Sequence, residues 1–419
     1  MINNLSKKFK AVFRQVFTIT VSSQDGLQDA YIDFSRIKKL LKWLEESVEV
    51  NQYKICVYAI SKNEEEFVDR WMDAVSEADA VIVTDTGSTD HTVEKLRERG
   101  AIVYEDTISP WRFDTARNVA LSHVPEDMDI CVSNDLDEVF EPGWRQKLED
   151  LWRPEYTRAR YLFTFAFNAD GTPKKQYPME KIHIRHGYRW VHPVHEVLEY
   201  NGTGSEKISW INGLVLNHYP DLSKPRSQYL PLLELSVQEN PLDDRSMFWL
   251  GREYVYYRNF DKGIEILKRH LSLSTAKWSE ERSASMRFIA QCYEEKGNIK
   301  EARSWLFRAL AECPDVREPY LALVKSAYKE KNWPLSFAMA EKGLSITRNS
   351  GSYLVDPEGW GYALFDYGAI GAYNMGMYEK ARDYARNAVS MDSTNKRLQN
   401  NLLLIENRIK KQEKAEGPS

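Results

Sequence analysis

The chain has 419 residues, 42% of them apolar and 28% charged, with a formal net charge of -5. That length exceeds one comfortable hydrophobic core and predicts two domains plus an extension. The mild negative balance excludes a general pull toward nucleic acid or anionic membrane, and no run of about 18 apolar residues offers a spanning helix.

Residues 1–50 read as an N-terminal helical extension. "SKKFKAVFRQVF" is basic and amphipathic, and "FSRIKKLLKWLEESV" sets Ile37, Leu40, Leu41 and Leu44 at helical spacing, which suits packing or a homodimer contact. It lacks the continuous apolar core and small-residue cleavage site of a secretion signal. Cys56, Cys131, Cys292 and Cys313 stand singly in strand-like or helical runs and read as buried thiols of a reducing, cytoplasmic setting. The Asn201-Gly202-Thr203 sequon matters only in a secreted protein.

Residues 51–222 change period. "KICVYAI" (54–60), "AVIVTD" (80–85), "AIVYED" (101–106) and "DICVSND" (129–135) are short β-rich runs, and the amphipathic stretches 64–77 and 90–99 lie between the first three, the second stopping at Gly100. Such alternation predicts a parallel sheet with right-handed crossovers. "ARYLFTFAFN" and "WVHPVHEVLEY" read as further strands, expected as antiparallel additions, with a polar loop "ADGTPKKQYPME" before the second. Residues 223–413 follow a Pro-interrupted link and read as helical throughout. There Leu250, Gly251 and Tyr254, then Ala290, Tyr293, Gly297, Ala302, Leu306, Ala309 and Pro314, then Gly376, Ala381, Ala385 and Ala388, fall in tetratricopeptide-like step, giving about four irregular helix pairs. Residues 414–419 read as a disordered tail. The fold class is therefore an α/β domain with a helical extension before it and an all-α repeat domain after it.

Ligands of open parallel sheets bind beyond the carboxyl ends of the strands. Two acidic clusters lie there: "TDTGSTD" follows the second strand and "NDLDE" the fourth. Gly87 permits a tight turn, and Ser88, Thr89 or Asp90 can cap the next helix. Asp135 and Asp137, one residue apart, form a D-x-D pair suited to Mg²⁺ or Mn²⁺, which keeps one or two protein carboxylates and fills its other sites with water and phosphate. No Walker loop or G-x-G-x-x-G is present, so a bound diphosphate would be neutralised by metal. A D-x-D alone also fits a solvated acidic turn; its place after an apolar strand favours the site. Of eight histidines, His183, His186, His192 and His195 crowd into thirteen residues, with Glu196 directly after. Zinc is conceivable from that clustering, but neither a cysteine nor a helical H-x-x-x-H pair supports it.

The ordered series Asn63-Glu64, D-x-G-S-T-D, "FDTARN" and D-x-D, over about residues 53–218, resembles the family 2 glycosyltransferases of GT-A fold. Within them it is similar to bacterial enzymes that join this domain to tetratricopeptide-like helices, including the peptide S-glycosyltransferases of glycocin biosynthesis. Lipopolysaccharide-core glycosyltransferases share its "NEE", "DTGSTD", "ARN" and "VHE" landmarks. The resemblance implies a nucleotide-diphosphate sugar donor, uridine-type by default, with transfer to a peptide, protein or glycan and inversion at the anomeric carbon. It places Ala59, Ile60, Asn63 and Glu64 along the nucleotide pocket, Asp85 on base or ribose, Arg117 on the nucleotide, Asp135 on the ribose side and Asp137 on the metal. The first loop departs from the commoner P-x-Y-N-E form. An inverting reaction needs a base within hydrogen-bonding reach of the acceptor. Glu196 is the first choice, with His195 as acceptor or diphosphate contact and Asp137 or Glu138 as fallbacks; His218 approaches the metal or caps the domain. Neighbours on a strand face opposite ways, so of His195 and Glu196 only one is expected at the site. Two other readings stand beside this one: a repeat-based scaffold with an inactive transferase module, and a glycoside hydrolase, which needs two carboxylates across a sugar.

Overall fold

The computed structural model describes residues 53–221 and 227–416. The expected extension over 1–50 and residues 417–419 of the expected tail lie outside them, while 414–416 continue the last helix.

Strand β1 (Ile55–Ser61) is the spine of the first domain. Its run Ile55, Cys56, Val57, Tyr58, Ala59 is at most 1% exposed, as a strand covered on both faces must be. β2 (Ala80–Asp85) and β4 (Ile130–Ser133) flank it in parallel, and β3 (Ile102–Glu105) extends the sheet beyond β2. Helix α1 (Val68–Val75) buries Val68, Trp71, Met72 and Val75, the i, i+3, i+4, i+7 stripe that its sequence spells. Helices α2 (Thr92–Glu98) and α3 (Phe113–Ser122) complete the crossovers. Gly87 and Gly100 have φ of +101° and +94°, so each turn uses a backbone region that glycine enters without a Cβ clash.

After β4 come β5 (Glu138–Phe140), α4 (Trp144–Leu151), β6 (Arg158–Phe167) and β7 (Pro173–Ile184), then β8 (Tyr188–Val191), β9 (Val197–Tyr200) and β10 (Ile208–His218). The main sheet has the order β3-β2-β1-β4-β7-β6-β10-β5. Three sequence expectations are corrected here. Residues read as a polar loop form most of β7, which pairs antiparallel with both β4 and β6. Its first half has no buried residue on either face, so the strand carries no apolar alternation there; the ladder pairs its backbone. "WVHPVHEVLEY" is not one strand: β8 and β9 form a separate two-stranded sheet joined by the turn 192–196, in which His192 (φ +75°) and His195 (φ +53°) are left-handed. And β10 joins β6 in parallel, so the additions are mixed.

Beyond residue 227 every regular element among the described residues is helical: α5 (Tyr229–Glu239), α6 (Asp244–Tyr256), α7 (Phe260–Ser272), α8 (Ser279–Glu295), α9 (Ile299–Glu312), α10 (Glu318–Lys329), α11 (Trp333–Leu344), the short α12 (Pro357–Trp360), α13 (Ala363–Asn374), α14 (Tyr378–Met391) and α15 (Lys396–Glu416). Four hairpins pack in series: α6/α7, α8/α9, α10/α11 and α13/α14. Each turns at a left-handed residue, Arg258, Gly297, Lys331 or Gly376. In the first three, the next residue is an asparagine whose side chain caps the second helix: Asn259, Asn298 and Asn332 accept from Lys262, Glu301 and Leu335 N–H. Small residues let the helices approach. A Cβ on Gly251 would stand 2.6 Å from buried Leu267, and Ala302, Ala309 and Ala290 are almost wholly enclosed. All four cysteines are free and buried, and burial pushes the Cys56 thiol up to about 12.

Candidate functional site

Because β2 and β4 both pair with β1 in parallel, their carboxyl ends leave the sheet on one edge, two strand spacings or about 10 Å apart. The two acidic loops share that edge. Their states differ.

The first loop holds itself. Buried Asp85 accepts from the Gly87 and Ser88 amides (3.0 and 2.8 Å) and from the Ser61 and Ser88 hydroxyls (3.0 and 2.5 Å). Asp90 takes the Thr92 amide and hydroxyl at the start of α2 and the Glu65 amide. Burial opposes ionisation of Asp90, yet these hydrogen bonds prevail and lower its pKa. Across from them, left-handed Asn63 (φ +53°) accepts the Thr89 amide at 2.7 Å, its own N–H donates to the Ser88 hydroxyl, and the Glu64 N–H donates to the Thr92 hydroxyl. Ala59 is buried in β1 and Ile60 half-buried beside it. The predicted pocket residues Ala59, Ile60, Asn63, Glu64 and Asp85 thus gather around one braced turn.

The second loop is a charge network. Arg117, buried on α3, donates to both Asp135 oxygens (2.7 and 3.0 Å) and through Nε to Glu196 Oε1 (2.5 Å), with its guanidinium over the Trp190 ring at 5.0 Å. Lys181, on β7, donates to Asp135 Oδ2 (3.0 Å) and Glu138 Oε1 (2.9 Å). Burial works against both charges, but the neighbouring carboxylates raise the pKa of Arg117 and Lys181 far above normal. Asp135 moves oppositely: burial opposes its charge, and the two cations hold it well below the usual carboxylate range. Burial raises Glu138, with Asp135 and Asp137 adding to it against Lys181. Asp137 turns from this group toward His218, whose Nε2 lies 3.2 Å from Asp137 Oδ2. Burial alone would lower the His218 pKa; its bond to Asp137 outweighs that and raises it.

Three carboxylates, Asp135, Glu138 and Glu196, therefore face two permanent cations, Arg117 and Lys181, and a fourth, Asp137, lies beside them against His218. That surplus suits a divalent cation. Asp137 and His218 would offer such an ion one carboxylate oxygen and one imidazole nitrogen, 3.2 Å apart. Beside His218 an open cavity of about 390 Å³ is lined by Phe165, Ala166, Phe167, Tyr219 and Pro220.

Of the two turn residues predicted together, Glu196 enters the charge network and His195 leaves it, stacking on Trp249 of α6 at 4.1 Å. The physical reason is the turn, not the strand alternation expected. The other clustered histidines are dispersed: His183 is buried against Tyr58, His186 is exposed beside Glu126, and His192 lies 3.5 Å from Asp243. Among the described residues a three-donor grouping occurs elsewhere, at Asp244, His270 and Glu281, where His270 and Glu281 pair at 3.3 Å. Sequence reading missed Lys181. The signal was the spacing "EKIHI", where Lys181 and His183 alternate with Ile182 and Ile184, but the polar residues before it masked a strand.

Residues 56–199 match the model of glycosyl transferase family 2. The matched segment runs from β1 into β9 and contains the whole braced turn and the charge network; His218 lies beyond it. The match supports glycosyltransferase activity in general. No curated protein matches the chain. Solved structures resemble the helical half: YrrB, a TPR protein (14% identity, 44% of this chain and 86% of that one, TM-score 0.35), MamA (16%, 42% and 96%, 0.33) and the Cut9–Hcn1 hetero-tetramer of APC/C (14%, 44% and 33%, 0.35). The aligned part is about a third of that last chain. Among the described residues no helix is long and apolar enough to cross a membrane.

Proposed function

We propose that the protein is an inverting, metal-dependent glycosyltransferase that moves a sugar from a nucleotide-diphosphate donor, UDP-type, to a peptide, protein or glycan acceptor. The observation that carries this reading is the strand-end network of Asp135, Glu138, Glu196, Arg117 and Lys181, with Asp137 beside it, inside the segment that matches glycosyl transferase family 2. The uridine half lies along Ala59, Ile60, Asn63 and Glu64. Asp85 shapes that wall, and it meets base or ribose by exchanging a serine hydroxyl for a ligand hydroxyl. Asp137 and His218 would hold Mn²⁺ or Mg²⁺, with Asp135 toward the ribose, and the bound ion would supply positive charge against the leaving diphosphate.

The chain's own groups do the rest. Arg117 and Lys181 turn from Asp135 toward the diphosphate, which frees Glu196 from its ion pair. The acceptor heteroatom attacks the anomeric carbon, the bond to diphosphate oxygen breaks, and Glu196 takes the acceptor proton. His195, facing the helices, contacts the acceptor. A homodimer and a cytoplasmic setting belong to the same reading.

The test is a panel of nucleotide sugars assayed for hydrolysis and, by intact mass, for transfer to candidate acceptors. Turnover that stops with chelator and in Asp137→Ala, with folding unchanged, is expected. Turnover indifferent to both would refute the metal role. The scaffold reading, the repeat domain serving as an interaction surface, would be favoured by a chain that turns over no donor at all.

A further inference from the structure

We propose that the helical domain is a structural part of the catalytic site, with Trp249 and Arg245 as positioning residues that hold the turn 192–196 and, through it, Glu196. The inference rests on the proposed role of Glu196 for its meaning, and on contacts alone for its geometry.

The turn is improbable in isolation. Two of its five residues, His192 and His195, are non-glycine residues in the left-handed region, each carrying about 1–2 kcal/mol of strain. Such conformations persist when surroundings over-determine them. Here the surroundings come from both domains. From the first, the Phe113 N–H at the start of α3 donates to the Pro193 carbonyl at 2.9 Å, and Asn118 one turn further holds Trp190 by a reciprocal pair of bonds, 2.8 and 2.9 Å. From the second, Val194 is 3% exposed in a cluster with Leu233 and Val237 of α5 and Met247, Leu250 and Tyr254 of α6. Arg245 donates to the His195 carbonyl, Trp249 stacks on the His195 ring, and Asp243, which caps α6, lies against His192.

Glu196 follows His195 directly and reaches Arg117 at 2.5 Å, so its carboxylate is aimed by a turn whose other side is helical-domain core. Removing the Trp249 ring takes away the flat surface against which His195 is set. The strained φ then has less to oppose it. The turn relaxes, and the Glu196 carboxylate loses its fixed place.

The test uses the full chain with Trp249→Ala, Trp249→Phe and Arg245→Ala. Amide exchange read on peptides spanning 192–196 is expected to rise tenfold or more in Trp249→Ala and Arg245→Ala, to return near wild type in Trp249→Phe, and to stay unchanged over β1 and β4. With a donor that turns over, kcat should fall at least tenfold in Trp249→Ala at a donor KM within twofold, with the phenylalanine variant recovering most of it. Unchanged exchange in the turn, or a loss confined to KM, would overturn the proposal. A wild-type chain without turnover would instead defeat the transferase reading, and the exchange result would still decide whether the clamp exists.

Discussion

Arg117 carries more of the site than any other side chain, because it neutralises acids from β4's end and from the 192–196 turn at once. Removing one partner of a buried pair leaves uncompensated charge, at about 3–5 kcal/mol. Arg117→Met is therefore expected to lower stability by that amount, measured by chemical denaturation, while Asp135→Asn with Glu196→Gln in the same background recovers part of it. His183 makes a second prediction. Its Nδ1–H donates to the Ile184 carbonyl at 2.7 Å, so Nε2 is left to accept from Tyr58, whose oxygen receives the Trp190 indole N–H. Burial drives its pKa down from 6.5 to about 3. The folded state thus binds fewer protons than the unfolded one between those values. Above pH 6.5 the group is neutral in both states and has no effect; as pH falls from 6.5 toward 3, stability drops by up to about 1.4 kcal/mol per unit. His183→Gln should show a lower stability at pH 7 and a flatter decline through that window.

At the scale of elements, the strands and helices that alternate from 54 to 135 could be read because their apolar runs are bounded by glycine and acid. β7 could not, since half its residues are polar on both faces and its place depends on β6, not on its own sequence. The helical hairpins were partly legible through Gly297 and Gly376. Their equivalents Arg258 and Lys331 were not, because nothing in a cation's identity announces a left-handed φ. That equivalence is testable. A β-carbon at such a position costs about 1–2 kcal/mol, against the entropy glycine loses on folding. Lys331→Gly should raise the melting temperature slightly, and Gly297→Ala should lower it. Gly251→Ala should lower it further, by a loss of stability of about 1–3 kcal/mol, since its Cβ meets Leu267 in the core.

Across the whole molecule, the separation into an α/β half and a helical half was visible in the change of period, and the acidic loops in their position after apolar strands. What sequence could not show was that the second half reaches into the first. Asp243, Arg245 and Trp249 touch residues of the 192–196 turn, and Arg112 at the head of α3 pairs with Glu239 at the end of α5. Such contacts depend on two left-handed backbone positions and on helix packing more than 40 residues away, neither written in a local pattern. The central claim remains the binding of a nucleotide diphosphate on the acidic edge. Calorimetry of the full chain with UDP tests it most directly, with and without Mn²⁺, beside Asp137→Ala of equal melting temperature. The account predicts Mn²⁺-dependent binding by the wild type, weakened at least tenfold in the variant. Equal UDP affinity in both proteins with chelator present, or no binding by either with Mn²⁺, would contradict it.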